Sequence, residues 1–196
     1  MIVVDFINNL NIFDLLVVAG LAAMFLAGFI QGTIRRFLGL IAILFSFLLA
    51  STVRDGLGTF LASHWHQFPP QYASMLGYLT VFVVGSIAFS LIIQGFYKPS
   101  PLFPNASFVD ELLGGLLGIV EGLLILGAVI VILSSTFAAS PPVIKSDAEL
   151  TFLRDFWNGL SGSGTFTVFR DSLIPAFFVP FGWAFSTDIR SVFPAF

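Results

Sequence analysis

Glu121 is the only ionisable residue between Leu112 and Thr136, a run of aliphatic residues, glycines and hydroxyls. A carboxyl group there has two uses. It can relay protons or hold an ion inside a membrane, or it can hold two helices together through a hydrogen bond. Desolvation favours the uncharged acid, and no lysine or arginine stands at the same depth in sequence. The expectation is therefore a protonated Glu121 that donates a hydrogen bond across helices. A proton path needs further relay groups, and only Gln31 and Gln94 offer themselves. His64 and His66 would share one face of a strand, but a zinc site needs at least a third protein ligand, and none stands out. The sequence has no P-loop, no HExxH and no G-x-S-x-G elbow. It has no cysteine for a thiolate site, and Ser163 lies in SGSG, which reads as a flexible joint. These residues predict no enzyme activity, no metal and no cofactor.

The helix that must carry Glu121 begins near Asp110. Gly114, Gly118 and Gly122 recur every four residues, so on a helix they form one bare ridge. Asp110 and Glu121 fall on the same stripe, roughly 16 Å apart along the axis. Such a ridge lets a second helix approach backbone to backbone. Ser107 and Asp110 have the spacing of a capping box, so Ser107 is the expected N-cap. Before this element, Leu15 to Val53 is apolar except for Arg35 and Arg36, and its length suits two spans of about 20 residues. The first runs from Asp14 to about Gln31, the second from about Thr33 to Val53. Ala19, Ala23 and Ala27 give the first a small-residue ridge, with Gly28 and Gly32 beside it. Ala42, Ser46 and Ala50 do the same for the second. Arg54 to Gln71 is expected as an interfacial loop, although Leu57, Phe60, Leu61 and Trp65 have helical spacing. Tyr72 to Tyr97 is the third span, and the fourth ends near Thr136.

The predicted fold is an all-α membrane protein. Residues 1–142 form a bundle of about four transmembrane helices, and residues 143–196 an amphipathic, aromatic, extracytoplasmic or interfacial tail. In the tail, Ser146 and Glu149 form a second capping box, and Leu150, Leu153, Trp157 and Leu160 share a stripe. Composition agrees: 57% of the 196 residues are hydrophobic and 10% charged, against about 25% charged in a soluble domain. The net charge of −3 argues against a nucleic-acid partner. The partners expected are the lipid bilayer, a second copy of the chain and other membrane proteins. Arg35, Arg36 and Lys98 lie in the first and third connections, which places those connections, with Asp110 beside them, in the cytoplasm and both termini outside.

The chain resembles the colicin V production (CvpA) family of bacterial inner-membrane proteins. The resemblance rests on Asp14 opening the first span and on Gly28-Phe-Ile-Gln-Gly32 followed by Arg35-Arg36. It rests also on Asp110-Glu-Leu-Leu-Gly114 with Gly118 and Gly122, and on Ser172-Leu-Ile-Pro175. It implies about four spans in the inner membrane and a role in toxin production, export or envelope maintenance. In that role the chain is a non-enzymatic accessory or scaffold; the alternative is a small transporter or channel component that uses Glu121. Relatives often carry a basic residue where Gln31 and Glu121 stand here.

Overall fold

A computed structural model describes residues 11–65, 70–96, 102–103, 105–138 and 151–176. Among them there is no strand, and four helices are long and apolar enough to cross a membrane: α1 (Ile12–Gln31), α2 (Thr33–His64), α3 (Pro70–Phe96) and α4 (Ser107–Phe137). Backbone polar groups in hydrocarbon must be satisfied within their own segment, and a helix does this. The membrane bundle expected from the apolar runs is therefore the fold.

The corner between α1 and α2 is a single residue, Gly32, whose φ is +76°. That left-handed conformation suits glycine and strains other residues. Gly32 N–H donates to the Gly28 carbonyl at 3.0 Å, which ends α1. The Thr33 hydroxyl donates to the Asp110 carbonyl at 2.8 Å, so the corner is tied to the first turn of α4.

α1 lies antiparallel on α4. Gly28 meets Gly114, Met24 meets Gly118, and Leu21 meets Gly122. A Cβ on Gly114 would come within 2.8 Å of the Gly32 carbonyl carbon, and one on Gly118 would strike the Met24 carbonyl. α2 runs parallel to α4 and antiparallel to α3. Ser46 faces Gly85, Phe47 stacks on Tyr78 with ring centres 5.7 Å apart, and Gly58 faces Ser74. Ala42, Ser46 and Ala50 are all buried. By contrast, Ala19, Gly20 and Ala23 point outward; α1 turns Gly28, not these residues, toward α4.

Two boundaries differ from the sequence expectation. The expected loop after Val53 is helix as far as His64. No proline interrupts it before Pro69, and Leu57 and Gly58 pack on Gly77 and Ser74 of α3. Thirty-two residues span about 48 Å, more than the ~30 Å hydrocarbon core, so the last turns stand outside it. His64 there lies 4.6 Å from the Phe60 ring. His66 lies outside the described residues, and among the described ones no cluster of His, Asp and Glu could hold a metal. The second difference is the start of α4: Ser107 is the first helical residue, and Ala106 is its N-cap. Asp110 instead accepts a hydrogen bond from Leu102 N–H at 3.1 Å.

The C-terminal segment docks where α1 begins and α4 ends. Helix α5 (Thr151–Ser161) buries Trp157 and Leu160, and Trp157 stacks on Phe137 at 6.0 Å. The SGSG stretch is a formed turn, not a loose joint. Ser163 Oγ accepts from Phe166 N–H at 3.1 Å, starting α6 (Gly164–Val168). The buried Asp14 carboxylate accepts from Gly164 N–H at 3.3 Å, Thr165 N–H at 2.8 Å and the Thr165 hydroxyl at 2.6 Å. It therefore joins two ends of the sequence 150 residues apart. The helix continues through a π segment, Phe169–Leu173, and Phe169 lies over Gly127 of α4. Gly127 is ten residues before the end of α4, about 15 Å along the axis. The segment thus runs down into the bundle, beside an apolar crevice of about 210 Å³ between α2 and α4. Leu150, the Ser146–Glu149 cap and the aromatic end beyond Ala176 lie outside the described residues.

Candidate functional site

Arg36 Nη1 donates to Glu121 Oε2, forming an ion pair between α2 and α4. The Arg36 side chain is 8% exposed and that of Glu121 13%. Gly39, one turn after Arg36, gives the carboxylate its room; a Cβ there would lie 3.4 Å from Glu121 Oε1. The sequence expectation that no arginine or lysine stands beside Glu121 is corrected by this contact. The physical reason is side-chain reach. Helical side chains lean toward the N-terminal end of their helix, which brings Glu121 toward the start of α4. The long arginine then spans the remaining gap from the first turn of α2. Comparing the two residues by position along the chain missed both effects. Gly39 was legible as the residue three after Arg36 on the same face, but it was not among the expected site residues.

The expected grouping of Arg35, Arg36 and Asp110 is also redistributed. Arg36 goes to Glu121. Asp110 is buried and turned to the α1 corner, where a Cβ on Gly32 would lie 2.7 Å from its Oδ2. Arg35 is half-buried and lines a cleft between α1 and α3, with the ion pair in its floor. Gln31, Gly39, Ser90 and Ile93 complete the lining. The cleft encloses about 170 Å³, space for five or six waters at about 30 Å³ each. The side chain of Gln94, the other expected relay group, lies outside the described residues.

The lining has two guanidinium groups and one carboxylate, a formal charge of +1. Arg36 Nε is buried and has no hydrogen-bond partner. Among the described residues no carboxylate pairs with Arg35. The arrangement can hold helices in register and can attract an anion.

A family model described as colicin V production protein matches residues 13–155, from the first turn of α1 into α5. No curated protein and no solved structure matches the chain.

Proposed function

This chain belongs to the colicin V production protein family, and we propose that it serves toxin production or export as a non-enzymatic accessory that packs against other membrane proteins. The observation that carries this reading is the outer face of α1. Ala19 and Ala23 are exposed, and Gly20 has no atom within 4 Å of where its Cβ would lie. A small-residue face turned to lipid lets another helix come close. The glycines of α4 are already used against α1, so the free ridge is the alanine one. The Arg36–Glu121 pair takes up the acid on which a transport reading rests. The test is Gly20→Leu with Ala23→Leu. The double variant touches nothing inside the bundle, so its unfolding should stay within about 0.5 kcal/mol of the parent. Partners that co-purify with the parent in mild detergent, identified by mass spectrometry, should be lost. Their full retention would overturn the proposal.

The proposal also places the protein in the inner membrane with both termini outside the cytoplasm. The cations Arg35 and Arg36 at the α1–α2 corner support this orientation. Reporter fusions after Val143 and at Lys98 should report opposite sides, with Lys98 cytoplasmic. A cytoplasmic signal after Val143 would reverse the topology.

A further inference from the structure

We infer that the cleft between α1 and α3 is a binding site for a phosphate oxyanion, held by Arg35 with Arg36, Gln31 and Ser90 around it.

The charge comes first. Glu121 neutralises one of the two guanidinium groups in the lining, and the other remains. Neither Asp110 nor Glu111, the further acids of α4, lines the cleft, and Asp110 faces Gly32 and Leu102. Among the described residues, α1 and α3 contribute neutral groups to the lining, Gln31, Ser90 and Ile93. A half-buried guanidinium with no carboxylate partner among the described residues favours an anion, and its planar fork matches the paired oxygens of a phosphate.

The donors come second. Arg36 is 6% exposed, and its Nε is buried without a partner although Nη1 is bound to Glu121. A buried N–H left unsatisfied is costly, and this one belongs to a guanidinium of the lining. The Gln31 amide, at the rim of the lining, adds a neutral donor without adding a second net charge, which fits a singly charged phosphodiester.

The place comes third. Gln31 and Arg35 flank the α1–α2 corner, at one end of the spans. Strongly exposed apolar side chains stand close to the lining in sequence: Ile30, one residue before Gln31, at 83% and Phe96, one turn after Ile93, at 87%. Such side chains belong among acyl chains, so the cleft lies where hydrocarbon meets headgroups. An anionic phospholipid headgroup supplies the phosphate from the membrane side, and inorganic phosphate would supply it from water.

The test is native mass spectrometry of the full chain in mixed micelles, titrated separately with phosphatidylglycerol, phosphatidylcholine and inorganic phosphate. Retention of phosphatidylglycerol over phosphatidylcholine is expected, and Arg35→Gln should weaken it roughly tenfold. Arg170→Gln removes an exposed arginine already paired with Asp171 and serves as the control for loss of charge alone; it should leave retention unchanged. Retention of inorganic phosphate that is lost in Arg35→Gln would support the same site with a soluble source. If Arg35→Gln does not fold, Gln31→Leu must show a selective loss of phosphatidylglycerol instead. Equal retention of the two lipids with no phosphate bound would overturn the inference. So would equal losses in Arg35→Gln and Arg170→Gln, or undiminished binding in Arg35→Gln.

Discussion

Glu121→Leu is expected to destabilise the bundle by about 3–5 kcal/mol, the usual result of removing one partner from a buried ion pair. The leucine fills the space well and suits the lipid depth, so packing is not what is lost. What is lost is the counter-charge of Arg36, a residue 6% exposed on the inner side of α2. Its guanidinium must then stay buried and uncompensated, or drag the first turn of α2 toward water. The corner at Gly32 resists the second course, because Thr33 is tied to the Asp110 carbonyl. Glu121→Gln should also be destabilising, since an amide accepts the hydrogen bond but supplies no charge. A sequence reading with an uncharged Glu121 expects the glutamine to be tolerated, so this variant separates the two accounts. Chemical unfolding in detergent micelles measures both. Native-like stability of Glu121→Gln would return the acid to its neutral reading.

The second large effect lies one turn away. Gly118→Leu should cost about 3 kcal/mol or more, the upper end for overpacking, because its first side-chain atom would already strike the Met24 carbonyl. That contact is with backbone, which has no rotamer to escape into, so α1 must move off α4 as a whole. Leu117→Ala on the same helix should cost less than about 1 kcal/mol. Leu117 is only partly buried, and in the membrane the surface it uncovers meets lipid tails as apolar as itself. Thermal unfolding of the two variants in one detergent gives the comparison. Equal melting temperatures would remove the glycine seam from the account.

Both effects trace to features that a sequence displays unequally. The repeat of Gly114, Gly118 and Gly122 is a matter of spacing, and helical geometry converts spacing into a face without further information. The four spans were legible for the same reason: length and hydropathy suffice when the solvent is a bilayer. Which partner a face meets is a different kind of fact. The alanines of α1 and the glycines beside them form equally plausible ridges, and only the packed structure shows that Gly28 faces α4 while Ala19 and Ala23 face outward. The Arg36–Glu121 pair joins residues 85 apart, and it depends on side-chain length and lean, which a comparison of backbone depths leaves out. Asp14 was visible as the acid that opens α1. Its bonds to Gly164 and Thr165 were not, because glycine and serine spacing alone does not distinguish a loose joint from a capped turn whose donors find a distant carboxylate.

The central claim is that Arg36 and Glu121 hold α2 and α4 together as a pair. A double-mutant cycle tests it most directly. Arg36→Met, Glu121→Leu and the two combined are unfolded under one set of conditions. An apolar replacement of both partners in a buried pair is often neutral or stabilising. The combined variant should therefore lie within about 1 kcal/mol of the parent while each single variant falls well below it. With Glu121→Leu alone costing about 3–5 kcal/mol, the resulting coupling energy should exceed about 3 kcal/mol, at or above the upper end seen for residues in direct contact. Single losses that simply add, with a coupling near zero, would contradict the pair.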